Sequence, residues 1–102
     1  MSKKNTPIEI FNIALENYQN KNFKKAESIC KKIFKENSTH YQSIFLLGVI
    51  SAQNNKLQQA AKLLKKAIQI NPNFIDAYYN LGIVFDKLEK YQDSIKCYKK
   101  TL

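Results

Sequence analysis

An all-α fold of stacked helical hairpins, an α-solenoid, is predicted by three observations. The first is a self-match: a shift of 34 residues superposes Ala14, Gly48 and Gly82, then Ile10, Ile44 and Tyr78, then Ala26, Ala60 and Ser94. The second is that apolar slots repeat in the same register, as in Ile13, Leu47 and Leu81, Phe23, Leu57 and Tyr91, Cys30, Leu64 and Tyr98, and Phe34, Ile68 and Leu102. The third is that no segment carries the two-residue alternation of a strand. An ordinary amphipathic bundle keeps a 3.6-residue period but has no reason to hold small residues at a fixed 34-residue interval. Three hairpins are about the minimum for a stable stack, and 102 residues leave little room for anything else.

Each element follows from local chemistry. A flexible tail is expected over residues 1–6, with the repeats at 7–40, 41–74 and a truncated 75–102. Thr6-Pro7-Ile8-Glu9 reads as a capping box with proline at the first helical position, and opens a helix over 8–20. Asn20-Lys21-Asn22 marks a tight turn before the second helix, 24–37. The third helix, 42–54, carries Gly48 where a missing side chain lets its partner approach. Asn54-Asn55 turns the chain into the fourth, 58–70, whose Ala60 and Ala67 serve that contact from the other side. Pro72 lacks an amide donor, so it ends that helix and sets up the fifth, 75–88, which carries Gly82. A sixth helix is expected over 92–102.

These residues resemble the tetratricopeptide repeats. In the middle copy, Ile44, Leu47, Gly48, Ala60, Leu64, Ala67 and Pro72 match the family signature, with Ser51 in place of the usual aromatic. The third copy matches with Tyr78, Leu81, Gly82, Phe85 and Tyr98, with Ser94 for alanine and Thr101 departing. The first, with Ile10, Ile13, Ala14, Ala26 and Cys30, has drifted at Asn17 and Ser38. The resemblance implies a right-handed superhelix whose first helices line a concave binding groove.

Composition excludes several function classes. Neither a long apolar run nor a charged-then-apolar leader is present, so no membrane span is expected and a cytoplasmic setting is the default. Cys30 and Cys97, about two repeats apart, read as buried thiols rather than a disulfide. His40 stands at an inter-repeat turn without a cysteine or carboxylate cluster. Two glycines make no phosphate loop, metal-ligand spacing is missing, and no nucleophile motif occurs, so no enzyme activity, cofactor or metal is expected. The net charge is +9, yet all 17 basic residues are lysine. Without arginine, the residue suited to bidentate phosphate and guanine contacts, no specific nucleic-acid partner is expected. The ladders Lys31, Lys65, Lys99 and Lys32, Lys66, Lys100 fall on second helices, where a solvated convex face accounts for them.

The expected partner is a protein or peptide. By the resemblance, the groove positions are Ile8, Phe11, Leu15 and Tyr18, then Gln42, Phe45, Val49 and Ala52, then Asp76, Tyr79, Ile83 and Asp86. Phe11, Phe45 and Tyr79 form an aromatic column there, and Leu15, Val49 and Ile83 an aliphatic one. The rings are either open to a partner or buried between neighbouring repeats. A carboxylate clamp is absent, because Phe11, Leu15, Phe45 and Val49 occupy its lysine and asparagine positions. Asn12 and Asn80, interrupted by Leu46, resemble the asparagine ladder of arrays attached to protein O-glycosyltransferases. Glu9 and Glu16 give the first repeat a polar outer face, whereas Tyr98 and Leu102 leave the last one apolar, which predicts a following domain or self-association through the last helix. Three readings follow: a groove-based interaction scaffold, the recruiting arm of a longer modular transferase, and a basic binder of anionic partners.

Overall fold

The computed structural model describes residues 6–102; of the tail expected over 1–6, residues 1–5 lie outside them, and Thr6 belongs instead to the first helix as its cap. Six α-helices follow in order: α1 (Pro7–Gln19), α2 (Phe23–Glu36), α3 (Tyr41–Gln53), α4 (Leu57–Ile70), α5 (Ile75–Lys87) and α6 (Tyr91–Lys99). Five of the six begin one residue earlier than the sequence suggests. The larger correction is at the end: α6 stops at Lys99, three residues short of the expected Leu102. Lys100 and Thr101 donate their amides to the carbonyls of Cys97 and Tyr98, three residues back, and the Thr101 hydroxyl also bonds Tyr98 O at 2.7 Å. Those bonds tighten the last turn and take the carbonyls that a longer helix would use.

The termini are as periodic as the core. Thr6 caps α1 by accepting from Glu9 N at 3.2 Å, and its hydroxyl donates to Glu9 Oε1. Inside each hairpin one residue adopts positive φ: Lys21 at 64°, Asn55 at 61° and Glu89 at 61°. Each is followed by the same pair of amide bonds, Lys21 to Tyr18 O and Asn22 to Asn17 O in the first hairpin. The second repeats it with Asn55 to Ala52 O and Lys56 to Ser51 O, the third with Glu89 to Asp86 O and Lys90 to Phe85 O. This is the Schellman arrangement, which satisfies the orphan carbonyls and reverses the chain. Between hairpins, Asn37 and Asn71 accept from the amides two residues on, at Thr39 and Asn73.

The glycines work as the sequence predicts. A methyl at Gly48 would sit 3.0 Å from Leu64 Cγ, and one at Gly82 would sit 2.6 Å from the Tyr98 ring. Ala60 and Ala67 are fully buried on α4. The core is two clusters: Ala14, Ala26, Cys30, Leu46, Leu47 and Ile50 join the first two repeats, and Ala60, Ala61, Leu64, Leu81, Val84, Phe85 and Cys97 join the last two. Ser94, in the slot held by Ala26 and Ala60, is buried but satisfied by Gly82 O at 3.0 Å. Packing runs helix to helix along the chain. In addition α1 touches α3 and α3 touches α5, whereas the backbones of the second helices stand apart and meet only through side chains such as Lys66 on Phe34. The stack is therefore closed along its first helices and splayed along its second. The result is an elongated body, 54 × 25 × 21 Å.

Candidate protein-interaction surface

The closed side carries the expected groove residues, and their surroundings differ from copy to copy. Phe11 and Phe45 are half-buried, each against the residue 29 positions later. Phe11 meets the His40 ring edge-on at 5.3 Å, and Phe45 meets Phe74 at 4.8 Å. Those two residues directly precede α3 and α5, so each inter-repeat junction lays a ring across the groove aromatic of the repeat before it. Tyr41 also packs on Phe74, at 5.2 Å. Tyr79 has no such cover and is 53% exposed. Its one aromatic neighbour among the described residues is Tyr98, at 6.0 Å, whose hydroxyl donates to Asp86 Oδ2 at 3.0 Å. The column is thus closed in its first two members and open in its third.

The remaining positions sort by environment. Leu15, Val49 and Ile83 are half-buried, so the aliphatic column is continuous but shallow. Tyr18 packs on Phe23 and accepts from Gln53 Nε2 at 2.6 Å, which engages it in joining the first two repeats. Asp76 and Asp86 are exposed, and Ile8 is exposed on the first turn of α1. Asn12 is exposed, Leu46 is core, and Asn80 Nδ2 donates to the Asp76 carbonyl at 2.8 Å. The three positions therefore make no ladder: one is buried and one spends a side-chain donor on its own helix.

The ends differ as the sequence suggests. Ser43, Ile50, Ala77 and Val84 are buried against the preceding repeat, while Glu9 and Glu16 in those slots are exposed. At the other end, α4 presents Leu57, Ala61, Leu64 and Ile68 to the last hairpin. The same slots on the last repeat are Tyr91, Ile95, Tyr98 and Leu102. Ala61 is 6% exposed but Ile95 47%, and Leu102 lies past the helix, fully exposed. Tyr98 is half-buried over Gly82.

Sequence reading missed the roles of His40 and Phe74. His40 is the N-cap of α3: its Nδ1 accepts from Ser43 N at 3.2 Å and lies 2.8 Å from Ser43 Oγ. Burial holds its pKa below the ordinary 6.5. Their spacing by one period, each in ring contact with a groove aromatic that lies 29 residues earlier in sequence, was the available signal. Burial pushes the Cys30 thiol up to about 12, and Cys97 is raised first by burial and then by Asp93, which disfavours the reactive thiolate at both. Among the described residues no three metal-ligating side chains cluster, and no helix is long and apolar enough to cross a membrane.

The all-α stack of helical hairpins, closed along one side, is a helical-repeat solenoid. Residues 48–89 match the family model described as TPR repeat, from Gly48 in α3 through α5, less than half of the chain. Among solved structures, a crystal structure of MamA superposes with a TM-score of 0.86 at 26% identity, over 95% of this chain and 57% of that one. A second MamA structure gives 0.85 at 25% identity, over 94% and 52%. A chain of the CopN–Scc3 complex gives 0.82 at 13% identity, over 93% and 56%, and shows the fold alone. The chain spans just over half the length of these structures. No curated protein matches its sequence.

Proposed function

We propose that the chain is a non-catalytic interaction scaffold that holds an apolar partner segment along its concave side, with Tyr79 as the principal anchor. The observation that carries this reading is the Tyr79 ring, 53% exposed on the closed side beside Ile83, in a column whose other members, Phe11 and Phe45, pack against His40 and Phe74. A ring standing beside the shallow strip of Ile83 offers apolar area, and a buried anchor of this kind contributes about 1.5–3 kcal/mol. Peptides selected on the purified chain from a displayed library test it. Tyr79→Ala, with helicity retained by circular dichroism, should weaken the selected peptides at least about tenfold. Unchanged affinity sinks the groove reading.

The exposed apolar side chains of Tyr91, Ile95 and Leu102 favour a second use, association through this face of the last hairpin. Within this chain the equivalent slots of α4 receive α5, so the face suits an amphipathic helix, including one from a second copy. Sedimentation at tens of micromolar should show concentration-dependent association that Ile95→Lys abolishes; a monomer throughout rules the second copy out. A recruiting arm of a longer transferase is a narrower form of the scaffold reading, and the interrupted asparagine positions leave it without a specific site.

A further inference from the structure

The splay of the second helices opens a cleft of about 520 Å³ on the convex side, between α4 and the last hairpin. Its lining is Lys62, Lys65, Lys66 and Lys90 with two glutamines, over the edge of Phe85 and Ala61. No carboxylate lines it. We infer that this cleft is a binding site for a compact oligophosphate, distinct from the concave surface.

The repeat itself shows why these lysines lack partners. In the first copy Lys31 pairs with Glu27 at 3.5 Å, the one salt bridge among the described residues. One period later Lys31 becomes Lys65, but Glu27 becomes Ala61. Lys65 keeps the ammonium and loses the carboxylate, and its Nζ stands 5.4 Å from the centre of the Phe85 ring instead. Helix α4 contains no acidic residue at all, so Lys62, Lys65 and Lys66 stand at like-charged i, i+3 and i, i+4 spacings with no carboxylate on their own helix to offset their repulsion. Lys66 reaches the other way, with Nζ 4.8 Å from the Phe34 ring centre, so it contributes its stem rather than its ammonium to the cleft. Lys90 enters from the turn before α6. Asp93 and Glu89, the nearest acids in sequence, are exposed and outside the lining.

Convergent cations over a low-dielectric floor attract a multivalent anion far more than the same charges spread over a surface. Three ammoniums, those of Lys62, Lys65 and Lys90, match a chain of two or three phosphates, and the cleft volume falls within the range of small-molecule sites. Lysine serves here as a point charge without arginine's fork, which suits phosphate oxygens held electrostatically. The source of the phosphates, an inorganic chain or a nucleoside triphosphate, leaves this chemistry unchanged.

Calorimetric titration of the full chain with inorganic tripolyphosphate at about 150 mM salt, where surface charges are screened beyond ~8 Å, tests the site. Saturable one-to-one binding is expected, weakened at least about tenfold in Lys62→Gln/Lys65→Gln. Lys99→Gln/Lys100→Gln, which removes the same charge outside the cleft, should change it less than about twofold. Amide shifts on titration should concentrate between Gln58 and Gln69 and at Lys90. Adenosine triphosphate in a parallel titration separates the sources: tighter binding than tripolyphosphate assigns the site to a nucleotide, equal or weaker binding to an inorganic chain. Equal losses in the two double variants, or no saturable binding, would make the lysines a general coat and overturn the assignment.

Discussion

Replacing Gly82 by alanine sets two large effects against each other, and the structure says which prevails. In a helix interior, alanine is favoured over glycine by about 0.8–1 kcal/mol. The new methyl, however, would lie 2.6 Å from Tyr98 Cε1 and 2.9 Å from Cδ1, so the ring has to move. Moving it breaks the Tyr98 hydroxyl bond to Asp86 and the contact with Tyr79, and overpacking of this kind costs about 1–3 kcal/mol. The net expectation is a destabilisation of about 0–2 kcal/mol. The decisive experiment is a double-mutant cycle with Tyr98→Ala, followed by urea denaturation. With the ring gone, Gly82→Ala should stabilise by about 1 kcal/mol, which gives a coupling of roughly 1–3 kcal/mol. A Gly82→Ala effect of the same sign and size in both backgrounds would refute the close-approach account of the glycine. Gly48 offers a contrast, because its neighbour Leu64 is fully buried and has nowhere to swing. Gly48→Ala should therefore remain destabilising whatever is done at the open end.

Four further outcomes follow from the caps and the core. Because His40 is held below its ordinary pKa of 6.5 in the folded chain, the unfolded chain binds its proton more readily. Its contribution is complete above that unfolded value and is lost as the pH falls through the lower folded one, where the protonated Nδ1 also stops accepting from Ser43 N. Urea midpoints should fall over that window in the native chain; His40→Ala should lower stability by about 0.5–2 kcal/mol at neutral pH and remove this part of the pH dependence. Glu89→Gly relieves a left-handed backbone costing about 1–2 kcal/mol against about 0.4–1 kcal/mol of added unfolded-state freedom, so thermal melting should rise by a few degrees. Asn55→Gly should gain less, since asparagine tolerates that conformation. Native Cys30, with its thiol raised to about 12, should resist iodoacetamide at pH 8 and react only when the chain is unfolded, as mass spectrometry would show.

Most of the fold was legible because the period constrains both partners of a contact. Gly48 and Gly82 announce a close approach, and Leu64 and Tyr98, one period apart, are what approaches. The helix end at Lys99 was not legible in the same way. The slot pattern continues to Leu102, but termination was decided by the three-residue bonds around Lys100 and Thr101, and by a threonine hydroxyl that competes for the Tyr98 carbonyl. A side chain bonding its own backbone leaves no mark on hydrophobic periodicity. Asn80 illustrates the same blindness, since its composition suggests a ligand donor and its geometry spends one donor on Asp76.

The groove exposed a different limit. Slot alignment places Phe11, Phe45 and Tyr79 in one column as equals, yet their availability depends on what the next repeat supplies 29 residues later. His40 and Phe74 differ in chemistry but do the same job of covering a ring, and only His40 also caps its helix through a side chain. A repeat array therefore does not offer identical sites along its length. Each junction residue both starts a helix and closes the site behind it, so a single change at that position alters stability and recognition together. His40→Ala should open Phe11 as well as loosen α3, and the two effects separate cleanly: His40→Asn restores an N-cap without restoring the ring. If the asparagine variant recovers the lost stability while Phe11 becomes accessible to an apolar ligand, the junction has two independent functions. If stability and accessibility move together, the ring contact itself carries the junction.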